Sequence, residues 1–230
     1  FGIEINGSLK HKLGILGFGI DMASVSLSSN NLGQRDRKML NIFIEQQFKF
    51  ANQKIDLTPG LAITYFSDLA NSNTNEQNDG FANLPYIYPG IDFGFKINED
   101  LRLYSNIGYT YRIPTYTDLF YSSPTTQGNE DLIYEKAVTS EFGIKYYKNN
   151  FNLNCSIYQR NATDVIDYVR NDLEELWEAN NIREIITNGF ELNLSYQFYL
   201  GEFNKHHINL GYSNIDDNLK ETEFAYSRYA

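Results

Sequence analysis

Apolar and polar residues alternate with period two along most of this 230-residue chain. From Leu40 to Phe50 the even positions read Leu, Ile, Ile, Gln, Phe, Phe, so five of six are apolar. The odd positions are Asn41, Phe43, Glu45, Gln47 and Lys49, and one of five is apolar. Successive side chains of a strand point to opposite faces, so this is a strand with one dry and one wet face. Ile91, Phe93, Phe95 and Ile97 alternate in the same way with Asp92, Gly94, Lys96 and Asn98, and Phe190 to Phe198 repeats the pattern. The periodicity predicts ten strands, near 1–9, 13–23, 38–50, 54–67, 86–97, 101–111, 136–148, 151–169, 183–199 and 206–215. Most have the roughly nine residues that a tilted strand needs to cross a bilayer.

The connections alternate in length. Short ones fall near His11, Asn52–Gln53, Asn98–Asp100, Asn149–Asn150 and Gly201–Lys205. Long ones span about 24–37, 68–85, 112–135 and 170–182. Short turns at one end and long loops at the other mark an outer-membrane β-barrel, with the long loops extracellular. A soluble sandwich has no reason to alternate so regularly. Aromatic residues gather near strand ends (Tyr65–Phe66, Tyr86, Tyr88, Tyr109, Tyr111, Tyr146–Tyr147, Phe198–Tyr199), where interfacial girdles place them. Pro59 and Pro89 fall inside predicted strands, and a barrel without edges requires each to sit at a bulge or near a strand end. The segment 171–180 is read as loop with a helical turn, Asp172 as its cap and Glu175 three residues on.

Composition narrows the function. The net charge of −10 and the pI of about 4.8 exclude nucleic acid as a partner, because its phosphates would be repelled. Mean hydropathy is −0.45 and no apolar run suits a membrane helix, a test that barrels escape because only alternate residues face lipid. The single cysteine, Cys155, forms no internal disulfide. The chain opens at Phe1 without a signal peptide and is read as an internal piece of a longer protein.

Little in the sequence points to an enzyme. His11, His206 and His207 lie near predicted short turns, and adjacent strand residues such as His206 and His207 face opposite ways. They are read as solvated turn residues, with no metal motif and no visible nucleophile–base pair. No cofactor is implied. The loop Ser67–Gly80 is rich in Asp, Asn and Glu; a flexible solvated loop is the better reading than a calcium site. Glu45, Lys49, Asp56, Asp92, Lys96, Arg102, Glu141, Lys145, Arg160 and Glu191 would face the lumen, either bonding a plug or forming a hydrated wall. Tyr116, Phe120, Tyr121 and Trp177 are aromatics in predicted extracellular loops, fit to anchor a bulky planar ligand or to pack loops together.

The segment Tyr109–Lys136 carries the most information. Its Arg112, Pro114, Thr115, Asp118, Leu119 and Phe120, followed by Gly128, Asn129, Leu132 and Glu135, resemble the Arg-x-Pro-Thr-x-x-Asp-Leu-Phe and Gly-Asn-x-x-Leu-x-x-Glu motifs of TonB-dependent outer-membrane receptors. Tyr158–Asn161 with Asp164, Ile166, Asp167 and Val169, then Asn181 and Gly189–Glu191, resemble later strands of the same family. The match covers about residues 100–200. The resemblance implies an all-β antiparallel barrel of about 22 strands with a plugged lumen, of which residues 1–230 would supply nearly half. It implies TonB-coupled import of a scarce bulky nutrient such as a ferric siderophore or vitamin B12. Its partners would be the TonB complex, acting through a plug absent here, and outer-membrane lipid. Arg112 joins Tyr116, Phe120, Tyr121 and Trp177 as a ligand-binding candidate. A passive porin-like barrel and a soluble all-β binding module are the competing readings.

Overall fold

The computed structural model describes residues 1–70, 85–201, 204–219 and 225–228. Ten long strands form one antiparallel sheet in which each pairs with its neighbour in sequence. They are β1 (Gly2–His11), β2 (Gly14–Ser29), β3 (Gly33–Phe50), β4 (Ile55–Ala70), β5 (Tyr86–Lys96), β6 (Leu101–Arg112), β8 (Glu135–Lys148), β9 (Phe151–Arg170), β10 (Trp177–Leu200) and β11 (Asn204–Leu219). A five-residue helix α1 (Tyr116–Phe120) and a two-residue strand β7 (Thr126–Gln127) lie between β6 and β8. A last short strand, β12 (Tyr226–Ser227), pairs with β9, and β7 pairs with β10.

The register gives the sheet one apolar and one polar face. One row across neighbouring strands reads Leu57, Phe93, Ser105, Phe142, Ile157, Phe190. The row on the other face reads Thr58, Asp92, Asn106, Glu141, Tyr158, Gly189. The apolar face is uncovered: Ile42 is 45% exposed, Phe93 43% and Ile157 57%. The polar face is cross-linked. Asn41 donates to Asp21 and accepts from Thr64. Arg102 pairs with Asp56 at 3.0 Å, and Tyr104 and Asn106 both donate to Glu141. Near the short turns, Tyr146, Phe151, Tyr196, Phe198 and His206 form a chain of ring contacts.

The strands run further at the long-loop end than the hydrophobic pattern predicts. The predicted loop 24–37 is a three-residue turn, Asn30–Leu32, between β2 and β3. The predicted loop 170–182 shrinks to 171–176, which holds a turn closed by the Glu175 amide donating to the Asp172 carbonyl. Past the apolar band both faces of a strand meet water or protein, so the period-two signal fades while the backbone ladder continues. The acidic loop read at Ser67–Gly80 lies mostly outside the described residues.

Pro59 sits neither at a bulge nor near a strand end, whereas Pro89, the fourth residue of β5, lies near a strand end as expected. Glu45 pairs with Gly60 and Phe48 with Leu57, so the β3–β4 ladder opens opposite Pro59 and closes again with its register unshifted. On its other side Pro59 pairs with Ile91. Pro89 pairs with Leu61 of β4, while the β5–β6 ladder begins only at Gly90 and Gly108. A proline lacks one donor, and an opening on one side accommodates it. Beyond Gly90 the freed ends of β5 and β6 are bridged by rings. Tyr86 meets Phe66, Tyr111 and Tyr134, and Tyr88 meets Tyr111, at centroid separations of 4.8–5.5 Å.

Glycines on the polar face carry flat-lying rings from the neighbouring strand. A Cβ at Gly19, Gly143 or Gly189 would stand 2.0–2.3 Å from the rings of Phe43, Tyr104 and Tyr158 respectively. Only glycine admits such a close approach.

Candidate functional site

The connection from β6 to β8 is a folded cap. Its start is local: Thr115 caps α1, its hydroxyl accepting from the Asp118 amide while the Asp118 carboxylate accepts from the Thr115 amide. This reciprocal pair satisfies two otherwise orphaned donors. Arg112, the last residue of β6, then reaches over the helix start. It donates to Asp118 at 3.1 Å and to Glu135, the first residue of β8, at 2.5 Å. The same Glu135 oxygen accepts from the Ile166 amide of β9, and the residue is only 5% exposed. Arg112 therefore ties both ends of the loop to one carboxylate pair.

The rest of the motif folds the loop over this pair. Gly128 and Asn129 donate their amides to the carbonyls of Tyr121 and Asp118. A Cβ at Gly128 would lie 2.8 Å from three backbone atoms of Asp118, Leu119 and Phe120, so the close packing requires glycine. Leu119, Leu132, Ile166 and Ala179 form a buried cluster, with Phe120 and Tyr168 packed against it. Asn181 pins the loop's exit, donating to the Ile133 and Asp164 carbonyls and accepting from the Ile133 amide. Asp164 adopts a positive φ of 56°, a conformation Asp tolerates better than most residues.

Two groups missed by sequence reasoning hold the cap in place. Arg35 and Arg37 of β3 stand at i, i+2 and share a face. Arg35 lies 3.6 Å from the centroid of the Phe120 ring, and Arg37 4.8 Å from that of Tyr116. Arg37 also forms a two-pronged pair with Asp68 at 2.6 Å and donates to the Pro114 carbonyl. Burial pushes the Tyr116 phenol up to about 12. The second group sits on β9 and the segment after β11, where Arg170 and Arg228 stack on Trp177 at 4.3 and 4.9 Å. The i, i+2 arginines were a readable signal; in the second group Arg228 comes from far along the sequence and left none.

The predicted ligand candidates thus occupy two neighbouring patches. Tyr116, Phe120 and Tyr121 belong to α1 and its exit, and all three are half-buried. Trp177, expected in a loop, is the first residue of β10 and is half-buried beside that exit, its amide donating to the Thr125 carbonyl. The side chain of Arg112 is turned to Asp118 and Glu135.

The histidines are exposed near the short turns, as expected, and two of them also make contacts. His206 stacks on Phe198 at 5.3 Å, and His207 Nε2 lies 2.8 Å from Ser195 Oγ, a contact between strands that the sequence did not reveal. Among the described residues no three His, Cys, Asp or Glu side chains are grouped to hold a metal.

Comparison with known proteins gives one consistent result. The chain is 24% identical over 107 residues to the vitamin B12 transporter BtuB of Vibrio vulnificus, a match covering 46% of this chain and 17% of that protein. It superposes on the siderophore receptor PirA of Pseudomonas aeruginosa with a TM-score of 0.71 and 18% identity, over 93% of this chain and 39% of the receptor. The FrpB iron transporter of Neisseria meningitidis gives a TM-score of 0.66 at 16% identity, over 94% and 35%. The chain therefore spans well under half the length of these relatives. Residues 7–229 match the family described as TonB dependent receptor-like, beta-barrel, and the chain belongs to that family.

Proposed function

We propose that this chain forms part of the wall and extracellular cap of an outer-membrane receptor that imports a scarce, bulky nutrient. Ferric siderophores and vitamin B12 define the cargo class, and the TonB complex supplies energy through a plug domain. The observation that carries this reading is the folded cap. An ion-pair and hydrogen-bond network builds a cored loop at one end of a family barrel wall and sets Tyr116, Phe120, Tyr121 and Trp177 around it. Rings held on a rigid frame bind large ligands at low entropic cost. In this reading Tyr121 is the principal contact, and Trp177, against Arg170 and Arg228, flanks it. Tyr116 and Phe120 are seated on Arg37 and Arg35, and Arg112 positions the loop. The names of the relatives, a siderophore receptor, an iron transporter and a vitamin B12 transporter, support the cargo class.

Uptake tests this directly. The intact gene is expressed in a host lacking its own outer-membrane receptors, and labelled cyanocobalamin and ferric enterobactin are supplied with and without TonB. Accumulation of one cargo that disappears without TonB is expected. Accumulation indifferent to TonB would make the protein a passive barrel.

A further inference from the structure

The segment that follows β11 crosses to a strand that is not its neighbour. Tyr226 and Ser227 pair with Arg170 and Val169 of β9, although β10 lies between β9 and β11. We propose that Ala225–Arg228 is a strap that fastens the loop after β6 to the β9–β10 hairpin, so that these extracellular elements move as one body.

Four hydrogen bonds lay the strap down. The Ala225 amide donates to Asn171 Oδ1 and the Arg228 amide to the Tyr168 carbonyl. Ser227 Oγ donates to Asp167, and Arg228 Nη2 reaches Thr126 Oγ1 in β7. That last bond lands on the loop after β6, and β7 itself runs parallel to the start of β10. A stack of five planar groups clamps the crossing: Tyr226, Arg170, Trp177, Arg228, Tyr168. The guanidinium-to-centroid distances along it are 5.6, 4.3, 4.9 and 4.9 Å. Each guanidinium is within 6 Å of two ring centroids, and a planar guanidinium can stack on a ring where an ammonium acts only as a point charge. Asp172, Glu174, Glu175 and Glu178 surround the hairpin tip and favour two cations there. Arg228 is itself exposed, so the stack and the Thr126 bond hold it rather than burial.

Hydrogen exchange on the intact receptor in detergent micelles tests the coupling, independently of any cargo. Arg228→Ala should raise exchange about tenfold, the effect expected of two lost cation–π contacts, and should do so in Thr125–Asn129 and Val169–Glu178 together. A rise confined to residues 225–228 overturns the proposal. Arg228→Lys keeps the charge but not the plane and should behave like alanine; full protection with lysine would mean the stack does not hold the strap. Should Arg228→Ala fail to assemble, Thr126→Val alters only the far end. It should loosen Thr125–Asn129 while 225–228 stays protected, and an unchanged loop would overturn the proposal.

Discussion

The middle of the sheet and its loop-bearing end are held together by opposite means. In the middle, the large apolar side chains point outward and stay exposed, as at Ile42, Phe93 and Ile157. At the loop-bearing end a set of apolar side chains is buried instead. Leu119, Leu132, Val165, Ile166, Val169, Ala179 and Ile182 are each at most 5% exposed. Among the described residues the middle of the sheet has no buried cluster; its order comes from the backbone ladder, and its apolar face suits the lipid contact proposed above. The cap is built like a small soluble protein, with a hydrophobic cluster, a helix cap and two buried carboxylates paired to a half-exposed arginine. A substitution should therefore damage one region and spare the other.

The largest effect is expected in the wall. Ile42→Arg and Phe93→Arg each place a cation on the lipid face, at about 2–4 kcal/mol near mid-depth, and should block assembly of the full-length protein. Membrane fractionation checks this, and normal assembly of both would remove the lipid-facing assignment. Next comes the cap core. Leu132→Ala, at a site 1% exposed, should cost about 2–4 kcal/mol locally. It should speed proteolysis of 112–135 while leaving assembly intact; loss of assembly instead would show that the two regions are one cooperative unit. Gly128→Ala forces a methyl against three backbone atoms and should cost about 1–3 kcal/mol, read as faster exchange at the Asn129 amide. The smallest effect is that of Thr115→Ala, about 1 kcal/mol from the lost helix cap, confined to exchange in α1.

The same division decides what was legible in the sequence. An apolar face on one side and a polar face on the other impose period two, so all ten long strands and their order could be read from Leu40–Phe50 and its counterparts. Where the strands rise beyond the apolar band that constraint ends, and Gly33–Arg37 or Trp177–Ile182 carry no alternation to read. Pro59 misled because a one-sided ladder opening leaves no mark on the register. In the cap, the motif from Arg112 to Glu135 was visible, but its geometry was not. Arg112 was grouped with the ligand candidates, whereas its side chain spans Asp118 and Glu135. Arg37 over Tyr116 and Arg228 on Trp177 join residues about 50 or more positions apart, beyond the reach of local pattern.

The rings that lie over Gly19, Gly143 and Gly189 bear on how far the polar face stands out from the wall. Phe43, Tyr104 and Tyr158 are large side chains on the polar face, yet each is laid along the wall instead of projecting from it. The clearance left for anything inside the barrel is then set at these points by the thickness of a ring and not by its length. A single added methyl at any of the three glycines would push a ring off the wall and raise the polar face there without changing a charge.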